Sequence, residues 1–288
     1  MILITGASGN VGSEVLEQAT AAGLELRAAY QSSTKANRAP AGVETVLVDF
    51  EKPESVSAAL RGVDTLFLVG PPSRNLPALE ANVIDAVKKY GVRRLVKLSA
   101  LGGRNAIFPS LHRQSEERIE RSGIPYTFLR PNGFMQNFVN YNADTIKSQQ
   151  TFYGCQQDGA VSYIDIRDIA GAAVAVLSRS GHEGKAYALT GPEPLTPTQV
   201  AEKLSAATGR TIRYVDLPPS DFRKALLSAG TPEWSADALL DLIRFYREGG
   251  ASLVDPALEH LIGRKPISFD QFARDYRSVF ASEERAAS

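Results

Sequence analysis

The chain has 288 residues, and its 32 lysines and arginines balance 32 aspartates and glutamates to a formal net charge of zero at pH 7. Proteins that bind nucleic acid usually carry a clear basic excess, so this balance argues against a nucleic-acid partner. One cysteine and three histidines exclude a disulfide framework and argue against a zinc site, so no metal is predicted.

The sequence also shows no pattern typical of a membrane protein. No apolar run approaches the roughly 18 residues that a membrane span needs. The first ten residues, MILITGASGN, begin as a strand without a basic leader segment. We therefore expect a cytoplasmic protein without a membrane partner.

Strand and helix patterns alternate through the first 130 residues. Short apolar runs predict six strands, at 1–5, 24–30, 43–48, 65–69, 94–98 and 126–129. Amphipathic spacing predicts helices between them, at 11–22, 53–60, 76–90 and 111–122. Strands separated by helices indicate βαβ units and a parallel sheet that is covered on both faces.

Beyond residue 130 the alternation loosens and helix patterns dominate. Two further strands are predicted, at 160–164 and 186–189. Helices are predicted at 166–177, 196–207, 220–227, 234–247, 256–262 and 268–280. The end of the chain, 282–288, is expected to be frayed.

A spaced-glycine loop joins the first predicted strand to the first helix. Such a loop without a ligand is a simple turn, but the strand–loop–helix context favours a dinucleotide site. The glycines allow a tight turn, a close approach of the backbone to a pyrophosphate and close helix packing, and the helix N-terminus favours phosphate. The loop residues that we assign to the cofactor are Gly6, Ser8, Gly9, Asn10, Val11 and Gly12.

The residues after the second strand indicate which dinucleotide binds. NAD sites usually place an acid there to bind the ribose 2′-hydroxyl, but this chain has Gln31 followed by two serines. Lys35 and Arg38 lie just downstream, where they either face a 2′-phosphate or solvate a loop. Because no carboxylate is present to repel a phosphate, we predict NADP(H) rather than NAD(H).

Two more strand ends are candidates for cofactor contact. Asp49 and Phe50 follow the third strand and either flank the adenine or, for Asp49, form a turn before the next helix. Val69 and Gly70 end the fourth strand. Ligands of such sheets bind outside the carboxyl ends of the strands, so we include all four residues.

With these residues, the chain resembles the short-chain dehydrogenase/reductase superfamily in its atypical NmrA-like branch. The motifs that carry the resemblance are the glycine loop, SGIPYTFLRP at 122–131, RPNGFMQN at 130–137, IDIRDIA at 164–170 and LIGR at 261–264. It resembles in particular the NADPH-dependent quinone reductases and triphenylmethane-dye reductases of that branch.

The resemblance implies a fold and a division of the chain. The fold is α/β, with a Rossmann-like, doubly wound parallel sheet and a smaller, mainly helical C-terminal lobe. Residues 1–150 form the NAD(P)-binding domain, to which 160–190 return, and 191–288 form the substrate lobe. A substrate cleft is expected between the two.

The chain departs from the superfamily at its usual catalytic residues. Most members use a Tyr-x-x-x-Lys pair for proton transfer, with a serine about thirteen residues earlier. Here Ser99 ends the fifth strand, and His112 and Glu116 occupy the two helical positions. A carboxylate beside an imidazole favours its charged form. His112 is a proton donor oriented by Glu116, a contact to the nicotinamide, or a structural residue on a charged helix face.

Other side chains have a functional and a structural interpretation. Phe134 and Phe138 line an apolar pocket for an aromatic acceptor or pack the lobe. Asp165 and Asp168 are better explained as helix caps than as catalytic groups. Cys155 has no base nearby in sequence and is interpreted as a bystander.

These observations predict hydride transfer from NADPH to a small quinone-like or dye-like aromatic acceptor, which is electron-poor enough to react without a positioned acid. The alternative from a different class is a non-catalytic, NADP(H)-sensing regulator that binds a protein partner. A sugar-nucleotide epimerase or dehydratase needs the strong base that is absent here. We also consider a homodimer.

Overall fold

The computed structural model describes residues 1–281, which form two compact units. The first contains Met1–Pro131, Ile166–Leu189 and Pro256–Arg264, and the second contains Asn132–Asp165, Thr190–Asp255 and the chain from Lys265 onward. The domain limits expected at residues 150 and 191 stay a prediction, and the end expected to fray, 282–288, lies outside the described residues.

A seven-stranded parallel sheet forms the centre of the first unit. Numbered in chain order, its strands are β1 (Ile2–Ile4), β2 (Leu26–Tyr30), β3 (Glu44–Leu47), β4 (Thr65–Leu68), β5 (Arg94–Leu98), β6 (Tyr126–Pro131) and β8 (Lys185–Leu189). They lie in the order β3-β2-β1-β4-β5-β6-β8, and every pair of neighbours is parallel. The order reverses between β1 and β4, so the predicted doubly wound sheet is confirmed.

The helices of this unit are α1 (Asn10–Ala21), α2 (Ser33–Ala36), α3 (Pro53–Ala59), α4 (Leu76–Lys89), α5 (Ile107–Ser122), α7 (Ile166–Ser178) and α11 (Ala257–Ile262). All of them except α2 bury apolar side chains. Val83 and Ile84 of α4 and Ile119 of α5 pack in one apolar cluster with Leu66 and Leu95 of the sheet. This burial stabilises the central strands, whose carboxyl ends carry the site.

The second unit is mainly helical and contains one small sheet. Its helices are α6 (Ala143–Gln149), α8 (Pro197–Thr208), α9 (Pro219–Ser228), α10 (Glu233–Arg247), α12 (Phe269–Asp275) and α13 (Arg277–Phe280), with a π-helical segment at Phe138–Asn142. Two parallel strands, β7 (Thr151–Gly154) and β9 (Arg213–Asp216), pair with each other. Neither short strand was predicted.

Three predicted elements differ from the structure. The strand predicted at 160–164 is wrong: Val161 bridges Leu195 and Ile164 bridges Phe134, so the two ends pair with different segments and no ladder forms. The helix predicted at 268–280 is divided at Tyr276 into α12 and α13. Helix α5 begins at Ile107, four residues earlier than predicted.

Within residues 1–281, none of the helices combines the length and the apolar character that crossing a bilayer requires.

Candidate active site

The loop between β1 and α1 closes so tightly that no side chain fits at Gly12. Gly6 has a φ of 63°, a left-handed conformation that favours glycine. Its carbonyl oxygen accepts the Gly9 N–H at 2.9 Å and lies 2.1 Å from the position that a Cβ on Gly12 would occupy. The loop is therefore pressed against the first turn of α1, which is the close packing that the glycine spacing predicts.

The N-terminus of α1 is suited to an anion. Its N-cap residue, Gly9, offers no side-chain hydrogen bond, and no acidic residue lies in the first turn. Ser8, Gly9 and Asn10 are exposed. The first N–H groups and the positive end of the helix dipole therefore meet no competing side chain. A dinucleotide pyrophosphate fits this cradle.

The end of β2 is suited to a phosphorylated ribose. Tyr30 is buried as the last strand residue, whereas Gln31 after it is exposed. Lys35 in α2 and Arg38 just beyond are also exposed. Residues 31–38 contain no carboxylate, so the surface beside the strand end is neutral to basic. This composition fits the 2′-phosphate of NADP(H).

The end of β3 gives Asp49 a turn role. Its Oδ1 accepts the Glu51 N–H at 3.0 Å, and its Oδ2 lies 3.2 Å from Lys52 Nζ. The Glu51 hydrogen bond and the Lys52 contact hold the pKa of Asp49 below its usual value. Phe50 packs against the apolar cluster of the sheet, and its carbonyl accepts the Asn82 Nδ2 at 2.8 Å. These contacts support the turn interpretation of Asp49, and its contact to adenine stays a prediction.

The end of β4 is fixed to β1 and to α4. The Val69 N–H donates to the Thr5 hydroxyl at 2.7 Å, so the two strand ends are joined beside the glycine loop. A Cβ on Gly70 would lie 2.4 Å from Leu76 Cδ1 and 2.5 Å from Glu80 Oε1. A side chain at this position would have to displace the Leu76 and Glu80 side chains of α4.

A fully buried ion pair lies below this turn. Lys97 Nζ of β5 donates to both carboxylate oxygens of Glu80, at 2.6 and 2.7 Å, and both side chains are 0% exposed. Lys97 also donates to the Leu98 carbonyl at 3.3 Å. Neither residue was among the predicted site residues. One signal was available, because Glu80 interrupts the apolar stripe of α4 that includes Leu76 and Val83.

A second buried carboxylate, Glu116 of α5, joins three elements. Arg130 of β6 donates to its two oxygens at 2.8 and 2.7 Å, Arg113 donates at 2.9 Å, and Ser99 Oγ donates at 2.6 Å. Burial raises the pKa of Glu116, but the hydrogen bonds from Arg130, Ser99 and Arg113 outweigh it, so the pKa lies below its ordinary value. Arg130 was not among the predicted site residues.

This network limits what Ser99 can do. An ionised carboxylate only accepts hydrogen bonds, so the single proton of the Ser99 hydroxyl points to Glu116. The Ser99 hydroxyl therefore has only its oxygen lone pairs free for a ligand. It can accept a hydrogen bond but cannot donate one to a substrate carbonyl while Glu116 holds its proton.

The surroundings of His112 favour the neutral form of its imidazole. It is 7% exposed, and its Nδ1 is buried without a hydrogen-bond partner among residues 1–281. Burial and the Lys97 cation hold the pKa of His112 well below its ordinary value of 6.5. The expectation that Glu116 favours an imidazolium is wrong, because that carboxylate is bound by Arg130 and Arg113. Phe108 meets the imidazole edge-on, at 4.9 Å between ring centroids.

The aromatic residues predicted for the acceptor belong to the second unit. Phe138 is buried and packs edge-on against Phe152, Tyr163 and Phe269, with ring centroids 5.3 to 5.6 Å apart. Phe134 is half-buried and bridges Ile164. The contacts of Phe138 support core packing, and a contact of either ring to substrate stays a prediction.

The two aspartates at the head of α7 have structural contacts. The Gln136 side-chain amide donates to Asp165 Oδ1 at 2.9 Å, and Arg264 lies 2.6 Å from Asp168 Oδ1. Both aspartates are fully buried. These contacts support the structural interpretation over a catalytic one.

The doubly wound sheet and the glycine cradle define a dinucleotide-binding protein. The chain belongs to the NmrA-like family, whose model matches residues 1–269. An NAD(P)H azoreductase of Xenophilus azovorans is 35% identical over 98% of this chain and 100% of its own length. Quinone oxidoreductase 2 of Escherichia coli is 32% identical over 91% of this chain and 94% of its own length.

Solved structures agree with this assignment. The NADPH-dependent quinone oxidoreductase of Escherichia coli in complex with NADPH superposes with a TM-score of 0.88 at 30% identity, covering 96% of this chain and 99% of the other. The triphenylmethane reductase of a Citrobacter species in complex with NADP(H) has a TM-score of 0.87 at 27% identity, covering 96% and 100%. The fold and the family predicted from the sequence are confirmed.

Proposed function

We propose that this chain is an NADPH-dependent oxidoreductase that transfers hydride to a quinone-like or dye-like aromatic acceptor. The observation that carries the proposal is the cradle at Gly6 and Gly12, followed by a strand end at Gln31 that has no carboxylate. The names of the relatives, azoreductase and quinone oxidoreductase, support the same class of reaction.

The residues of the chain bind and orient the cofactor. When bound, NADPH supplies the hydride. Gly6, Gly9 and Gly12 would hold the pyrophosphate at the N-terminus of α1, and Gln31 and Lys35 would contact the 2′-phosphate. Because the hydride chemistry belongs to the cofactor, the protein's contribution in this proposal is to position the cofactor against the acceptor and to provide the surrounding charges.

The protonation of the site favours electron-poor acceptors. Ser99 has its proton directed to Glu116, and His112 is neutral. Neither side chain is therefore a strong acid for an alkoxide that develops during ketone reduction. A quinone or a cationic dye accepts hydride first and takes its proton from water afterwards, so it does not need such an acid.

The direct test mixes purified protein and NADPH with a panel of quinones, azo dyes and triphenylmethane dyes. Loss of the NADPH absorbance band, with parallel loss of dye colour, measures turnover. Simple ketones serve as the comparison and should react far more slowly. Tight NADPH binding without oxidation by any acceptor would instead support the NADP(H)-sensing regulator.

Replacing Gln31 by aspartate should shift cofactor preference. The new carboxylate would repel a 2′-phosphate and accept a hydrogen bond from a 2′-hydroxyl. We expect the ratio of kcat/KM for NADPH over NADH to fall at least about tenfold, which corresponds to about 1.4 kcal/mol. Gln31→Asn keeps the site neutral and should leave the ratio within about twofold of the parent. An unchanged ratio in Gln31→Asp would show that residue 31 does not determine the preference for NADPH over NADH.

The protonation state of His112 predicts a flat pH profile. Because its pKa is lowered, the imidazole stays neutral at pH values above its ordinary 6.5 and gains a proton only at a more acid pH. We expect kcat for a quinone to be constant from about pH 6.5 to 8. His112→Gln, which cannot titrate, should show the same flat profile. An inflection near pH 6.5 in the parent that the variant lacks would assign proton transfer to His112.

A further inference from the structure

The second unit contains a cavity of about 420 Å³ that the cofactor site does not use. Its size falls in the range of small-molecule sites, roughly 300–1,000 Å³. Cys155 and Ile243 are buried at its wall, and Leu240 and Pro219 add apolar surface. Ser220, Asp241 and three arginines also line the cavity, but most of the lining surface is apolar and would favour an apolar ligand.

The charges around the cavity are unequally compensated. Arg223 is bound to Asp237 at 2.6 Å and to Glu233 at 2.8 Å. Arg244 is likewise paired, at 2.9 Å with Asp241 and at 2.7 Å with Glu248.

The side chain of the third arginine of the lining, Arg247, makes no hydrogen bond or ion pair with residues 1–281. It lies in the last turn of α10 and is exposed. The cavity thus combines an apolar wall with one cation, Arg247, that forms no ion pair with a carboxylate among residues 1–281.

The wall that carries Cys155 is rigidly built. Gln157 has a φ of 51°, and its N–H donates to Asp216 Oδ1 at 2.7 Å. The Gln156 N–H donates to the Tyr214 hydroxyl, which donates in turn to Asp216. A Cβ on Gly159 would lie 2.8 Å from Arg247 Cα, so this segment lies directly against the end of α10. Preorganised walls reduce the entropic cost of binding.

The thiol acts as part of the apolar wall. Burial, followed by the Asp216 charge, raises the pKa of Cys155 to about 11, so the group stays protonated near neutral pH. A protonated thiol is a weak nucleophile and behaves as a small apolar group.

We infer that this cavity binds a small aromatic anion, a carboxylate or a sulfonate, with its ring against Cys155 and Ile243 and its charge on Arg247. The site lies wholly within the second unit and is independent of the proposed NADPH chemistry. It is therefore expected to bind its ligand in the absence of cofactor.

The test uses two fluorescent probes with the same ring system on the full chain. The first is 8-anilinonaphthalene-1-sulfonate, and the second is N-phenyl-1-naphthylamine, which lacks the sulfonate. Titrations are repeated with excess NADP⁺, so that any probe at the dinucleotide loop is displaced. We expect saturable binding of both probes to the parent protein in the presence of NADP⁺.

Two variants separate charge from shape. Arg247→Gln should weaken the sulfonate at least about tenfold and leave the neutral probe unchanged, because one charge-assisted contact is lost. Ser220→Trp places a bulky ring on the exposed rim and should weaken both probes. Arg121→Gln is the matched control, since Arg121 is also an exposed arginine in the last turn of a helix but does not line the cavity.

The outcomes decide the proposal. No saturable sulfonate binding in the parent protein would overturn it, as would equal sulfonate affinity in the parent and Arg247→Gln. Equal weakening by Arg121→Gln would also overturn it, because the effect would then follow overall charge. Unfolding curves of all variants confirm that each chain is folded, and the exposed positions of all three substitutions make this the expected result.

Discussion

Gly12→Ala is expected to weaken NADPH binding at least about 100-fold, or about 2.7 kcal/mol. The new Cβ would lie 2.1 Å from the Gly6 carbonyl oxygen and 2.7 Å from its carbonyl carbon, far inside van der Waals contact. Both contacts are backbone atoms, which cannot rotate away as a side chain can. Either α1 moves outward or the loop opens, and each movement displaces the N–H groups that would hold the pyrophosphate.

The same change should also lower stability. Helix α1 buries Val11, Val15 and Leu16, and an outward movement removes part of that packing. Overpacking of this kind costs about 1–3 kcal/mol, which urea unfolding measures. Gly9→Ala is the control, because its Cβ would lie 3.3 Å from the same oxygen at an exposed position. It should unfold almost like the parent. A Gly12→Ala protein with the stability and NADPH affinity of the parent would contradict the proposed pyrophosphate site at this loop.

The cofactor loop could be predicted because its determinants are local. The apolar strand, the three glycines and the amphipathic helix lie within about 20 residues, and each constrains its immediate neighbours. The strand order could also be anticipated once the chain resembled a known family. The missed strands β7 and β9 are only four residues long, too short for an alternating pattern to stand out.

The polar network of the site could not be predicted, because its partners come from different elements. Arg130 on β6 and Ser99 after β5 meet Glu116 only after the sheet has formed. From the i,i+4 spacing, Glu116 was paired with His112, the neighbour on its own helix. In the structure, two arginines compete more strongly for the carboxylate. Helical spacing identifies residues on one face, but it does not decide which of them interact.

The buried pair of Glu80 and Lys97 shows the same limit. A glutamate within the apolar stripe of α4 and a lysine within a buried strand each indicate a charge that needs a partner. The sequence alone does not show that the two are partners, since 17 residues separate them along the chain. Their contact depends on how α4 packs across β4 and β5.

Lys97→Met is expected to lower the free energy of unfolding by about 3–5 kcal/mol, since it leaves the Glu80 carboxylate buried without its cation. Urea unfolding measures the loss. The matched control is Arg118→Met, which removes the partner of Asp85 from an ion pair that joins α5 to α4. That pair is similar in length, at 2.7 Å, but its side chains are 45% and 65% exposed. It should cost at most about 1 kcal/mol.

The double variant Lys97→Met/Glu80→Gln separates a buried charge from a simple loss of packing. It leaves no ionised group in the pocket, so it should be more stable than Lys97→Met alone although it carries one more substitution. Loss of the Lys97 cation should also raise the pKa of His112 toward its ordinary value, although burial still lowers it. With three histidines in the chain, nuclear magnetic resonance can follow that titration. If Lys97→Met cost no more than Arg118→Met, burial would not make the Glu80–Lys97 pair more important for stability than an exposed pair. An unchanged pKa of His112 in Lys97→Met would contradict the effect of the Lys97 charge.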